Sequence, residues 1–152
     1  MRFSYDIYDT SDLEVQILHT LFNNRNRIWR KDAIAKLPLE AFSSTILKDL
    51  YDKMRNYFDF LENTGKYTTN NICREILDFY DFCQTKDNNC SFDLKFVLGF
   101  FSEECRQPDC LDDLLKLIDE LIECASKRQN AEQLKSIEDS LHRIHLQLQH
   151  DK

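Results

Sequence analysis

Glycine and proline are scarce in this sequence, with only two of each among 152 residues. Strand-rich folds need many tight turns, and those turns favour Gly, Asn and Pro. With only Gly65 and Gly99 available, the chain cannot form a G-x-G-x-x-G dinucleotide loop or a phosphate-binding P-loop. The scarcity of both residues therefore excludes these nucleotide-binding motifs and favours long helices joined by polar loops.

Long apolar runs are missing as well, since no segment approaches the roughly 18 apolar residues of a membrane-spanning helix. The first residues, MRFSYDIYDTSD, contain no apolar stretch of the kind found in signal peptides. We therefore expect a cytoplasmic, intracellular protein without membrane association. In that compartment its six cysteines are expected to be reduced thiols.

Paired metal ligands are the next absence. A structural zinc site needs two ligand pairs, such as C-x2-4-C followed by H-x3-5-H. Cys105 and Cys110 form one C-x4-C pair without a second, and a disulfide between them stays an open alternative. Glu138, His142 and His145 share one side of the last predicted helix, but no second E-x-x-H supplies the other ligands of a bundle site. We expect no metal, no cofactor and no catalytic residues.

Apolar residues recur every three to four positions along most of the chain, which is the pattern of amphipathic helices. We predict an all-α fold, a compact bundle of five to six helices in a single domain covering residues 1–152. Residues 1–10 form an extended lead-in, 12–62 a three-helix subdomain that could resemble a helix-turn-helix, and 70–150 the remaining helices. The segment at 92–101 also alternates like a strand, but its flanking residues favour a helix at about 92–104.

Local signals predict where several helices begin and end. Ser11 and Glu14 form an S-x-x-E capping box before the first apolar run. Ser43 or Ser44 is expected to cap the third helix, at its N-terminus. Gly65 is expected to end that helix, because glycine accepts the left-handed conformation of a C-cap.

The last 20 residues carry apolar side chains at heptad spacing, namely Leu134, Ile137, Leu141, Ile144 and Leu148. Two heptads are too few to predict a coiled coil. The KRQNAE segment before them permits either a tight break or a continuous helix. We favour the break, in which 130–149 folds back onto the bundle as part of a C-terminal antiparallel helical hairpin.

Charge is unevenly distributed along the chain, whose net charge is −7. Residues 25–57 contain eight Lys or Arg against four Asp or Glu, whereas residues 58–124 contain six against fifteen. An acidic middle region of this kind favours a partner protein with a basic surface, because opposite charges steer encounter.

Aromatic residues are abundant, with eleven Phe, six Tyr and one Trp. Rings at adjacent positions in YFDF (57–60) and FYDFC (79–83) must point to different sides of a helix, so part of them is expected outside. An exposed aromatic patch is typical of a protein-binding surface.

We predict a non-enzymatic interaction module, of the inhibitor, immunity-type or adaptor kind. Its oligomeric state, a homodimer included, stays open. The expected contact residues are Tyr57, Phe58, Asp59, Phe60, Phe79, Tyr80, Asp81 and Phe82.

The alternative is a DNA-binding transcriptional regulator built on residues 12–62. Three helices of these lengths are compatible with a helix-turn-helix, whose last helix enters the major groove. Asp49 and Asp52 on that helix argue against it, because phosphates repel misplaced carboxylates. The expected nucleic-acid contacts are Arg25, Arg27, Arg30, Lys31, Lys36, Lys48 and Lys53.

Overall fold

A computed structural model describes residues 10–66, 71–86 and 90–150 of the chain. Six α-helices account for most of these residues, and no strand occurs among them, so the all-α prediction is confirmed. The lead-in predicted for the N-terminus lies, except for Thr10, outside the described residues. The helices are α1 (Ser11–Phe22), α2 (Arg27–Lys36), α3 (Thr45–Thr64), α4 (Ile72–Lys86), α5 (Leu94–Ser102) and α6 (Leu111–His150). Short 3-10 turns at Asn24–Asn26 and Leu39–Ala41 connect the first three.

The ends of α3 follow the local signals of the sequence. The Ser44 hydroxyl accepts a hydrogen bond from the backbone N–H of Leu47, so Ser44 is the N-cap. Gly65 adopts φ +66° at the C-cap, and its N–H donates to the carbonyl of Leu61. A residue with a Cβ would be strained at that φ, which explains why glycine ends the helix.

The predicted hairpin at the C-terminus is wrong, because α6 is one continuous helix of 40 residues. Neither glycine nor proline occurs after Pro108, and the KRQNAE segment contains no residue that forces a break. At 1.5 Å per residue, α6 is about 60 Å long. Its first half packs on α1 and α2, and burial along it ends close to Arg128. We call residues 10–128 the head and residues 131–149 the arm.

Aromatic rings from four helices connect the core of the head. Phe22 of α1 stacks on Phe101 of α5 with ring centroids 4.0 Å apart, and it meets Phe79 of α4 edge-on at 5.6 Å. Phe79 in turn contacts Tyr57 of α3 at 5.4 Å and Phe92, ahead of α5, at 6.4 Å. The rings fill the space between helices of different length, and each buries more area than an aliphatic side chain. The first half of α6 closes this core with Leu114, Ile118 and Leu121, which are fully buried.

Glu14 has a different role from the capping box that the sequence predicts. Thr10 rather than Ser11 precedes α1 as its N-cap, and the Glu14 carboxylate is fully buried. It accepts hydrogen bonds from the Ser43 N–H at 3.0 Å, the Ser43 hydroxyl at 2.7 Å and the Thr10 hydroxyl at 2.5 Å. The carboxylate therefore ties α1 to the turn that starts α3, where the helix dipole favours a negative charge.

The start of α5 also differs from the prediction, because the helix begins at Leu94 rather than close to residue 92. Asp93 is the N-cap and accepts a hydrogen bond from the N–H of Phe96 at 2.8 Å. Ser91 instead donates to Asp49 of α3 through both its N–H and its hydroxyl, at 2.9 and 2.7 Å. A residue that could cap locally is thus used for a long-range contact between α3 and the segment before α5.

Replacing Glu14 tests this link between α1 and α3. Glu14→Ala is expected to lower the free energy of unfolding by about 2–3 kcal/mol, because two donors of Ser43 lose a charged acceptor. Urea denaturation followed by circular dichroism measures the loss. Glu120→Ala, at an exposed position of α6, is the matched control and should change stability by less than about 0.5 kcal/mol. Equal effects of the two substitutions would contradict the assigned role.

Candidate interaction surface

The aromatic residues predicted to form a contact surface belong mostly to the core. Tyr57, Phe58 and Phe79 are buried, so the prediction that these rings are exposed is wrong. Phe60 and Phe82 are half-buried and contact each other with ring centroids 5.1 Å apart. Tyr80 is half-buried too, and only Asp59 and Asp81 of this set are exposed. Rings at adjacent positions do point to different sides, and most of them are still buried because α3 and α4 each pack against more than one other helix.

Two of the predicted DNA contacts, Arg30 and Lys53, are buried inside the head. Arg30 donates to the carbonyls of Leu21 and Phe22 at the end of α1, at 2.8 and 3.1 Å. Its guanidinium also lies over the Phe58 ring, 3.9 Å from the centroid. These contacts satisfy the last carbonyls of α1 with a positive charge, as the helix dipole favours. Arg30 is therefore a structural residue, and its place among the phosphate contacts is wrong.

Lys53 lies against carboxylates of its own helix. Its ammonium is 3.0 Å from Asp49 and 3.8 Å from Asp52. Burial opposes ionisation of Asp49, but hydrogen bonds from Ser91 and Lys53 outweigh it and lower the pKa of that carboxyl. The Lys53 ammonium is thus already paired with two carboxylates, and the place of Lys53 among the phosphate contacts is wrong.

The other predicted phosphate contacts differ in exposure and in their partners. Lys36 pairs with Asp119 of α6 at 2.8 Å, and Lys48 is half-buried. Arg25, Arg27 and Lys31 are exposed at the start of α2 and in the turn before it. One of these cations, Lys36, is therefore already paired with a carboxylate of α6 in the same chain.

An open cleft of about 930 Å³ lies where the end of α1 meets the segment after α5. His19 lines it, together with Glu103, Cys105 and Arg106. The His19 side chain is 6% exposed, packs against the rings of Phe100 and Phe101, and its Nε2 has no hydrogen-bond partner in the described chain. Composition and periodicity did not identify His19 as a cleft residue, because it lies among the apolar core positions of α1.

The chemistry of the cleft does not favour nucleophilic catalysis. Burial raises the pKa of the Cys105 thiol, and the nearby Asp12 carboxylate raises it further, so the reactive thiolate is disfavoured. Burial lowers the pKa of His19, although the backbone of Phe100 and the charge of Glu103 partly oppose this. Among the residues that the structure describes, no group of three or more His, Cys, Asp or Glu is arranged to hold a metal ion.

The arm carries six of the nine large apolar side chains that are exposed in the described chain. Every described side chain from Glu132 to Gln149 is classed as exposed. The five heptad residues that the sequence singled out lie along one side of the arm, at the following exposed fractions: Leu134 61%, Ile137 55%, Leu141 61%, Ile144 53% and Leu148 61%. We call these five residues the arm stripe. Aliphatic side chains in such a continuous row are typical of an interaction surface, whereas single exposed ones are ordinary.

The arm differs from the rest of the chain in charge as well. Between residues 131 and 149 it contains three carboxylates, Glu132, Glu138 and Asp139, and two cations, Lys135 and Arg143.

Glu138, His142 and His145 are exposed, with no further ligand group close enough to complete a metal site in the described residues. No helix within the described ranges is both long enough and apolar enough to cross a lipid bilayer.

Comparison of the chain with models of known protein families, with curated proteins and with solved structures found no match in any of the three.

Burial of His19 predicts a loss of stability in acid. Because the folded state lowers the pKa of His19 below its usual 6.5, the unfolded chain takes up a proton first as the pH falls. The stability that the buried, neutral His19 contributes is fully present above about pH 6.5. Below that pH it declines, by at most about 1.4 kcal/mol per pH unit. Urea denaturation at several pH values between 5 and 7.5 gives the free energy of unfolding as a function of pH. The slope of this free energy against pH should be smaller in His19→Gln than in the natural chain. His142→Gln, at an exposed position, should leave the slope unchanged, and a slope unaltered in both variants would contradict the assignment.

The cysteines provide a second test, because the reactivity of a thiol depends on its pKa and on its exposure. All six are free thiols, and burial together with the neighbouring Cys90 raises the pKa of Cys83. Alkylation of the folded chain, read by mass spectrometry, should label the exposed Cys73 and Cys110 readily. Cys83 should stay unlabelled until urea unfolds the protein. Rapid native labelling of Cys83 would instead indicate an accessible, activated thiol.

Proposed function

We propose that this chain is a non-enzymatic protein-binding module, an adaptor in which a folded head carries a helical arm. The observation that supports the proposal is the exposed row of Leu and Ile side chains on the arm, the arm stripe. Water contact with this row is unfavourable, and a partner helix would remove it. The partner-binding surface is thus assigned to the arm, whereas the sequence placed it on the aromatic residues of α3 and α4.

The energetic incentive for binding is substantial. Fully burying one Leu or Ile side chain contributes about 1.5–3 kcal/mol. The five residues of the arm stripe are each a little more than half exposed. Covering them would therefore contribute roughly 1 kcal/mol per side chain, before the cost of association. A helix-in-groove or helix-on-helix contact is the recognition mode that suits anchors spaced by three and four residues.

The arm is also suited to binding because it is already helical. It continues a helix whose first half is anchored in the head by Leu114, Ile118 and Leu121. The costly nucleation of a helix is therefore already complete before a partner arrives. A preformed helix loses less conformational freedom on binding than a segment that must fold.

The remaining function classes receive less support. DNA binding loses Arg30 and Lys53 from its contact set, although the exposed Arg25, Arg27 and Lys31 keep a weak electrostatic contact open. Phe60 and Phe82, which are half-buried, stay predicted secondary contacts. The six free thiols suit a reducing compartment, and we assign the module to the cytoplasm on that ground.

Site-directed photo-crosslinking in native cell extract tests the proposal. A photoreactive benzophenone amino acid at position Leu141, in the centre of the arm stripe, should form covalent adducts with a protein chain identified by mass spectrometry. The same group at position Asp139, on the opposite side of the arm, is the matched control and should form few adducts. Adducts that disappear when Ile137 and Ile144 are changed to Asp support binding through the stripe. Equal crosslinking at both positions, or none at either, would overturn the proposal.

A further inference from the structure

We propose that the occupant of the arm stripe is other copies of this chain, joined as a parallel coiled coil of three or four arms. This inference rests on the proposed function, because it names the partner of the same surface. It follows from the register of the stripe, the direction in which the stripe faces and the charges that flank it.

Two heptads of sequence alone do not predict a coiled coil, and the exposure of all five members of the stripe is the observation that adds to the pattern. The register of the stripe also matches itself. Successive members are separated by three, four, three and four residues, which is the a and d spacing of a coiled coil. In a parallel assembly each layer therefore brings the same residue from every chain to the axis. Leucine occupies the a positions, 134, 141 and 148, and isoleucine the d positions, 137 and 144.

The assignment of leucine and isoleucine sets the number of chains. In parallel coiled coils, β-branched residues at a with Leu at d favour two strands, whereas Leu at a with Ile at d shifts the preference to three or four. The arm has the second arrangement in every layer of the stripe. A two-stranded assembly would place these side chains in the less favoured geometry.

The stripe faces away from the side of α6 that packs on the head. At about 100° per residue, the centre of the stripe lies roughly 150° around the helix axis, close to half a turn, from the face containing Leu114, Ile118 and Leu121. The head therefore cannot cover the stripe, and parallel arms can meet on an axis with their heads directed outward. Burial along α6 ends close to Arg128, which donates to the carbonyl of Ala41 at 3.3 Å, so the arm extends clear of the head.

Charge permits copies of the arm to approach one another. The chain as a whole has a net charge of −7, but the arm contains both signs in nearly equal number. The e and g positions, which flank the stripe, are Gln133, Glu138, Ser140, His145 and Gln147. Only Glu138 among them is formally charged at pH 7, so closing more than two arms together covers few charged groups. The arm offers few carboxylates to a strongly basic partner. Its three carboxylates also disfavour contact with an anionic membrane surface.

The molar mass of the purified full chain tests the inference. Sedimentation equilibrium between 10 and 200 µM is expected to give three or four times the 18.2 kDa of the single chain at the upper concentration. Leu141→Asp should reduce the mass to that of the single chain. The assembly would otherwise bury a layer of charged Asp side chains, one from each arm. Leu141 is exposed and distant from the core, so near-ultraviolet circular dichroism of the head should be unchanged. Leu146→Asp, on the same arm but outside the stripe, should leave the mass unchanged.

An isomeric variant tests the number of chains. Placing Ile at 134, 141 and 148 and Leu at 137 and 144 changes only the branching of five isomeric side chains, and it is expected to convert the assembly into a dimer. A photoreactive group at position Leu134 should crosslink to residues near Leu134 of a second copy, as parallel chains require. Adducts near Leu148, an unchanged mass in the exchanged variant, or a single-chain mass at 200 µM would overturn the inference. If the purified chain is monomeric while position Leu141 crosslinks a different protein in extract, the inference fails and the proposed function stands.

Discussion

The continuity of α6 is the constraint on which the rest of this structure depends. A sequence without glycine or proline after Pro108 gives the backbone no position at which reversal is inexpensive. The helix therefore runs through 40 residues, although the head can cover only its first half. A second half that returned to the bundle would bury its own apolar side. Because it does not return, that side remains exposed.

The head uses its unusual residues for its own stability. The rings of Phe22, Tyr57, Phe79 and Phe101 join four helices through direct contacts, so few of them are left for a partner. Buried polar groups are used in the same way, with Glu14 joining α1 to the start of α3 and Arg30 completing the end of α1. An aromatic-rich, unevenly charged sequence can thus encode internal packing, and its binding surface can be composed of ordinary leucine and isoleucine.

Local patterns predicted helices far better than they predicted exposure. Ser44 and Gly65 were correct as the two caps of α3 because a cap depends on residues within one helical turn. Ser11 and Glu14 matched a capping box in spacing, yet Glu14 bonds to Ser43 from a distant part of the chain. Lys53 and Tyr57 were assigned to surfaces because lysines and clustered rings are often exposed, but which side of α3 is covered depends on α1 and α4. The stripe on the arm was visible as a heptad pattern, and only its exposure was missed.

The sequence by itself determined that the chain is helical, where several helices start and stop, and which side chains lie along one side of the arm. These properties depend on residues within a few positions of one another. Only the tertiary structure decided that α6 does not turn back, that Arg30 and Glu14 are buried, and that the stripe faces away from the head. Each of these depends on which distant surfaces meet, and periodicity along the chain contains no information about that.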